Sequence, residues 1–556
     1  MPAIRAHAEA FLRPGETCWR RERADRLAVI VDAADYFRHL RQALAGAREA
    51  IYLVGWDFDL RIEMVPGESD EAGNAPDGWP NGLGAFLEAI VVANPSLRLH
   101  ILKWDGAMIA ALASQAAATL KLKLASDRIR FALDSHHPAG ACHHQKIVVV
   151  DDRLAFCGGI DVTTGRWDTR DHTPDDGRRA DPDGTLHQPW HDVTTALEGP
   201  VARALGDLAR RRWEKAIGEA LPAPAAGATP WPEGLAADLE GVEVGIARTA
   251  PRYHDEPLVN EIEESYLAAI RAARRTIYVE SQYLAATTIC EAMERRLAEP
   301  DGPEIVMVNP RNAQSWLEDE AMHSIRAVMI ERLRAAAERG GGRFAIFHPA
   351  NAAGTPIYVH AKVFAVDDRL LRIGSSNIDN RSMGFDTECD IAFEATTERE
   401  RGFVRDLTLG LVAEHLGCEP ETVAAAREEH GSLLGAIDAL RRPEGRSLRP
   451  VEPEPLDPLE RTLAESRIFD PRFWPENRPR PLDRVEHAAK RTIAPFHVEA
   501  AGVGAVLLAV GAVALGVWVG RAAARRLRPP RPRLAAPAIV TRRTLRPPVP
   551  ARPRDR

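Results

Sequence analysis

Paired cysteine is missing from this chain: its six cysteines (Cys18, Cys142, Cys157, Cys290, Cys389 and Cys418) are scattered, with no CxxC. That excludes a disulfide framework and a zinc ribbon, and it suits a reducing compartment. The N-terminal stretch has no uninterrupted apolar run, so no secretory leader is expected. The body is also short of positive charge. The chain sums to −8, yet residues 521–556 alone hold twelve Arg against one Asp, which leaves residues 1–520 at −19. An acidic body is a poor platform for nucleic acid, whose binding rests on many cationic contacts to phosphate. The basic end fits an anionic membrane surface, or equally a solvated Pro/Arg tail.

With 556 residues and 45% hydrophobic content, the chain can bury more than one core. One pattern occurs twice, 216 residues apart: His144-x-Lys146-x4-Asp151-x6-Gly158 and His360-x-Lys362-x4-Asp367-x6-Gly374. Four fixed residue types at fixed offsets arise by chance about once per 10^5 positions. The repeat extends further. Ala47 through Ile51-Tyr52 reappears as Ala273 through Ile277-Tyr278, each after a helical pattern and at the start of an apolar strand. A second strand follows in each half, Leu99–Lys103 and Ile305–Asn309. Alternating strands and helices predict βα units around a largely parallel sheet in each half, with the two sheets paired about a pseudo-twofold axis.

Each motif reads as a hairpin. Residues 146–151 and 362–367 are rich in β-branched residues, Asp-Asp-Arg forms the turn, and residues 154–158 and 370–374 return. Positions i and i+2 share a strand face, so His144 points with Lys146 and His360 with Lys362. An imidazole and an ammonium side by side, in duplicate, suit attack on a phosphate ester. One neutral imidazole is the nucleophile, the other a general acid and base, and the lysines balance the phosphoryl charge. No metal or other cofactor is needed. Asp151 and Asp367 sit where strand meets turn, and are read as holding the hairpin rather than as acids in a reaction.

These residues carry a resemblance. HHQKIVVVDD with GGID and GRWD, then VHAKVFAVDD with GSSNIDNRSMGFDTE, resemble the paired HKD motifs of the phospholipase D superfamily over roughly residues 28–435. The first set is closer to the eukaryotic-type lipid phospholipases, although no PX, PH or C2 module is recognisable. The resemblance implies two similar α/β/α sandwich domains and a catalytic motif set of His144, Lys146, Asp151, His360, Lys362 and Asp367. It implies His144 as nucleophile and His360 as acid and base, while the symmetry of the motifs alone gives no preference. Lys146, Lys362, Asn377 and Ser375 would hold the phosphate, with Gly159, Asp161, Asp192 and Glu388 in support. Asp161 would repel a phosphate unless paired with a cation. Asp192 and Glu388, 48 and 28 residues beyond the histidine of their own half, are candidates to orient the imidazoles.

Expected domains are residues 1–240 and 241–440, a Pro/charge-rich linker over 441–498, a hydrophobic membrane segment over 499–520, and an Arg/Pro-rich tail over 521–556. The expected activity is cleavage of phospholipid to phosphatidic acid and a head-group alcohol, with water or a small alcohol as acceptor. The protein is expected at a membrane, its catalytic body cytoplasmic, with no nucleic-acid partner. A cardiolipin synthase-like phosphatidyltransferase is the alternative of the same class, and a nuclease-type phosphodiesterase or an inactive scaffold those of other classes. His136, His137 and His143, beside His144, lack metal-ligand spacing to any Cys or carboxylate. Trp56, Trp104 and Trp167 lie near strand ends, as core residues or as a cleft lining. Residues 168–188 read as a long polar loop found in the first half alone, and Arg381-Ser382 as fixing the loop after the second motif.

Overall fold

The computed structural model describes residues 10–456, except 107–118, 120, 123–124, 139, 226, 228, 313–315 and 454, together with residue 461. The first half supplies strands β1 (Arg20–Val31), β2 (Ala50–Gly55), β3 (Arg98–Trp104), β4 (Ile129–Asp134), β5 (Ile147–Val150), β6 (Leu154–Gly158) and β7 (Val193–Glu198). The second supplies β8 (Leu239–Ala250), β9 (Thr276–Glu280), β10 (Glu304–Val308), β11 (Phe344–Ala350), β12 (Val363–Val366), β13 (Leu370–Gly374) and β14 (Glu388–Glu394), then β15 (Ser447–Pro450).

These strands make one continuous sheet, ordered β15-β11-β10-β9-β12-β13-β14-β8-β1-β7-β6-β5-β2-β3-β4, with Val259–Asn260 pairing on β8. Read outward from the β1–β8 joint, the two halves have the same strand order. The expectation of two largely parallel sheets is corrected in two ways. Only β2-β3-β4 and β9-β10-β11 are parallel; the remaining neighbours, including the joint itself, are antiparallel. The hairpins are the cause, since a short turn reverses the chain and forces antiparallel pairing where a helix crossover would not. The second correction is continuity. A single buried cluster on one face includes Tyr52, Val149 and Trp213 of the first half with Tyr278, Phe347 and Leu411 of the second. The opposite face carries a separate cluster for each half, around Phe37 and Phe86 and around Met307 and Phe364.

Both hairpins form as the pattern predicts. Asp151 and Asp152 have φ of 53°, and Asp367 and Asp368 have φ of 55° and 54°. Left-handed turn residues match the twist of the flanking strands, and Asp tolerates that conformation better than most residues. The Asp151 carboxylate accepts from the backbone N–H of Arg48, Glu49 and Ala50, at 2.7, 2.8 and 2.8 Å. Asp367 does the same for Arg274, Arg275 and Thr276, at 2.6, 2.7 and 2.9 Å. Each therefore ties the turn to the start of the neighbouring strand. Each also lies about 16 Å along the chain from its lysine, at the far end of the strand. The third letter of the motif is scaffolding.

Part of the expected linker is ordered. Helices Pro420–His430 and Leu433–Leu440 lead into β15, which adds an edge to the sheet inside the 441–498 segment. The hydrophobic segment 499–520 and the tail lie outside the described residues. Among the described residues, no helix is long and apolar enough to cross a membrane.

Candidate active site

The two motifs enter the site through backbone pairing with the opposite half. His143 bridges Thr387, and the His144 N–H donates to Thr387 O at 2.9 Å while Thr387 N–H returns to Cys142 O at 3.0 Å. On the other side, Trp190–His191 pairs in parallel with Tyr358–Val359, and His360 N–H donates to His191 O at 2.8 Å. Both histidines line one cleft of about 380 Å³, along with Trp56, Asp161, Arg166 and Asn377.

The orienting carboxylates arrive crosswise. His144 Nδ1 lies 3.0 Å from both oxygens of Glu388, which belongs to β14 of the second half. His360 Nδ1 lies 2.6 Å from Asp192 Oδ2, just before β7 of the first half. Both candidates were legible in the sequence, but spacing within a half does not bring them to their own histidine. A short carboxylate contact at Nδ1 fixes the ring and leaves Nε2 as the acceptor. Glu388 is itself held by Ser375 Oγ at 2.5 Å and Ser382 Oγ at 2.7 Å. Ser375, expected on the phosphate, is fully buried and spends its hydroxyl there instead. Gly159 stands where any Cβ would collide with Asp192, so glycine is required for that carboxylate to reach His360.

The lysines lie beneath the imidazoles. Lys146 Nζ sits 3.1 Å from Asp161 Oδ2 and donates to His144 O at 2.9 Å. The Asp161 carboxylate, also accepting from Trp56 N–H at 3.2 Å, is thereby neutralised rather than aimed bare at an anion. Lys362 Nζ donates to His360 O and reaches Gln282 Oε1 at 3.5 Å. Asn377 takes the place that Asp161 holds in the first half. Its Oδ1 is buried without a hydrogen-bond partner, and its backbone N–H donates to Ser382 Oγ at 3.1 Å.

Burial dominates the proton affinities. Together with the nearby Lys146 and Lys362 charges, it holds His144 well below the usual imidazole range, and burial with Lys362 and Arg166 does the same to His360. Burial pushes the Lys362 ammonium down to about 7, with Asp192 opposing, and lifts the Asp192 carboxyl to about 6. Glu388 is likewise raised by burial, against the pull of Lys146.

Arg166, within the GRWD motif, and Gln282, shortly after β9, carry no role in the sequence reading, yet both line the cleft. The Arg166 guanidinium lies over Trp190, 4.3 Å from the ring centre, and Trp190 in turn packs on Tyr358 and His360, at 4.6 and 5.2 Å between ring centres. Their signal was positional: both lie in the cleft, a fact that only the fold supplies. Trp56 lines the cleft and stacks on Trp104, while Trp167 is core. Arg381 fixes the loop as expected, clamping Asp386 at 2.7 and 2.8 Å. The histidines beside His144 do not converge: His136, His137 and His143 face Glu256, Asp105 and Asp134 separately.

Comparison with known proteins agrees in both halves. A family model described as "Phospholipase D" matches residues 43–225, and one described as "Cardiolipin synthase, PLD-like domain" matches residues 266–402. The phospholipase D alpha 1 of Nicotiana tabacum is 24% identical over 518 residues, covering 68% of this chain and 63% of that protein. Phospholipase D1 of Schizosaccharomyces pombe is 25% identical over 382 residues, covering 50% and 28%. This chain thus spans less than two thirds of the length of these relatives. The solved phosphatidylserine synthase of Haemophilus influenzae aligns at a TM-score of 0.49 and 12% identity, over 76% of this chain and 96% of that one. Two matching family models, one on each HKD motif, place the chain in the phospholipase D superfamily.

Proposed function

We propose that the protein is a phospholipid phosphodiesterase, cleaving the head-group ester to phosphatidic acid and an alcohol through a phosphohistidine. The observation that carries this reading is the pair of imidazoles in one cleft, each oriented by a carboxylate from the other half. His144 Nε2 attacks phosphorus and the bond to the head-group oxygen breaks, with a proton from His360 passing to that oxygen. His360 then takes a proton from water or a small alcohol, which attacks the phosphohistidine and frees His144. His144 is the better attacker on access, with 14% of its side chain exposed against 6% for His360. In the free site burial and the lysines keep His360 neutral. An anionic phosphodiester offsets those charges and restores the proton affinity that an acid needs. Lys146, Lys362, Asn377 and Arg166 surround the phosphoryl oxygens. We further propose that the halves are related by a pseudo-twofold axis at the β1–β8 joint, and that the protein works at a lipid surface from the cytoplasmic side. Residues 1–240 and 241–440 would be its two domains.

The match of the second half to a cardiolipin synthase-type domain favours one alternative, phosphatidyl transfer to a lipid alcohol. Incubation with phosphatidylcholine, with and without ethanol, separates the two. Choline release, with phosphatidylethanol replacing phosphatidic acid when ethanol is present, is the expected result. Turnover only when phosphatidylglycerol is added, yielding cardiolipin, supports the transferase. DNA cleavage with no lipid turnover would overturn both.

The depressed Lys362 sets a pH dependence. Below about 7 its ammonium is present to meet the phosphate; above it the charge is lost in the free enzyme. The kcat/KM therefore falls as pH rises through that value, approaching tenfold per unit. A kcat/KM that stays flat from pH 7 to 9 contradicts the role given to Lys362.

A further inference from the structure

Behind the cleft lies a second constellation that the chemistry above does not use. Asp32, His172, His191 and Glu414 converge there, all buried, with their ligand-type atoms within 4.8 Å of one another. Asp32 follows β1, His172 comes from the long loop once read as simply polar, and His191 precedes Asp192. Glu414 sits near the end of helix Glu398–Leu416 in the second half. We propose that these four side chains form a tetrahedral divalent-metal site, best suited to zinc, that locks the two halves together beside the candidate active site.

The spacing carries the argument. His191 Nδ1 is 3.1 Å from Asp32 Oδ1 and 3.1 Å from Glu414 Oε1. His172 Nε2 is 3.4 Å from Glu414 Oε1 and 3.5 Å from Asp32 Oδ2. In a zinc tetrahedron with bonds of about 2.0–2.1 Å, neighbouring ligand atoms stand about 3.3–3.4 Å apart. Both imidazole nitrogens stand near that spacing from Glu414 Oε1, while Asp32 turns a different oxygen to each and would supply one of the two. Hydrogen bonding accounts for only part of the arrangement: His172 Nε2 pairs with Glu414 Oε1 at 3.4 Å. His191 Nδ1 and Asp32 Oδ2 are both buried and have no hydrogen-bond partner, although each has a complementary atom close by.

The surroundings are those of ligated histidines. His172 turns its other nitrogen to Asp168 Oδ2 at 2.9 Å, and His191 turns its other nitrogen to Glu280 Oε2 at 2.9 Å. A carboxylate behind each imidazole fixes the tautomer and raises ligand basicity. Asp168 is paired with Arg179, and Glu414 with Arg170. Glu280 also accepts from Tyr278 Oη at 2.5 Å and faces His415 Nε2 at 2.9 Å. With both imidazoles neutral, the four carboxylates Asp32, Asp168, Glu280 and Glu414 outnumber the two arginines by two charges. One divalent cation closes that gap, as would two extra protons on the histidines. Two nitrogen and two carboxylate ligands suit zinc and disfavour magnesium or calcium, which prefer more oxygen ligands. The absence of a metal expected from the sequence concerned the reaction, and this ion would stand apart from the reacting atoms. Its route to the site is indirect: the Asp192 N–H donates to Asp32 Oδ1 at 3.0 Å, so the metal would steady the carboxylate that orients His360.

The test is metal content of the untagged full chain, purified without chelator from cells grown with added zinc. About one zinc per chain is expected in the wild type and less than about 0.2 in His172→Ala. Because that variant risks misfolding, zinc-stripped wild type is also loaded with cobalt. The visible d–d absorption of a tetrahedral cobalt centre should appear at one equivalent and be lost from His191→Ala. Wild type with no bound zinc and no cobalt spectrum overturns the proposal and leaves two protons as the occupants. Equal metal in wild type and both variants overturns it too, by placing the ion elsewhere.

Discussion

Replacing either His144 or His360 by alanine lowers kcat by about 10^4-fold or more, the scale seen when one member of a nucleophile–base set is removed. Both losses are expected because neither half holds a complete set. His144 supplies the nucleophile and His360 the proton, and both open on one cleft. The double variant should be little worse than either single one, since residues that act as a unit are not additive. The measurement is choline release from phosphatidylcholine, with circular dichroism to show that each variant keeps its fold. Residual turnover near a tenth of wild type in either variant would mean that each half works alone, and would sink the shared site.

The second large effect belongs to the carboxylates. Asp192→Asn and Glu388→Gln should each lower kcat about 10^2 to 10^4-fold with KM little changed, because a ring that loses its anionic partner loses tautomer and orientation rather than substrate contact. A structural role alone would also cost activity, so the informative readout is where the perturbation goes. In a nitrogen-15 spectrum of the imidazoles, Glu388→Gln should move the His144 signals and spare His360. Asp192→Asn should do the reverse. Effects confined to the histidine of the same half would contradict the crosswise pairing at 3.0 and 2.6 Å.

The site was legible in part, and the limit is physical. The His-x-Lys pairs, the hairpins and the anchoring role of Asp151 and Asp367 follow from local spacing, because a strand fixes its own side-chain period and a two-aspartate turn its own φ. Sheet continuity did not follow. It depends on β1 finding β8, whose paired residues, Arg20 with Ile246 among them, lie more than two hundred positions apart. Long separation, 244 positions for His144 and Glu388 and 168 for His360 and Asp192, likewise hid which carboxylate serves which histidine. Ser375 shows the other failure: as a sequence neighbour of Asn377 it looked like a phosphate donor, but β14 draws its hydroxyl onto Glu388. The polar stretch 168–188 misled by composition. Asp168, His172 and Arg179 are buried there because they satisfy one another and Glu414, so polarity did not mean exposure.

One measurement tests the central claim, a phosphohistidine formed in a site built from both halves. Wild-type protein is mixed with phosphatidylcholine, quenched within a few milliseconds at neutral to basic pH, digested and analysed by mass spectrometry. A phosphatidyl adduct on the peptide containing His144, absent from His144→Ala, is the predicted result. Choline release at full rate with no adduct on either histidine, or an adduct that persists in His144→Ala, would contradict it.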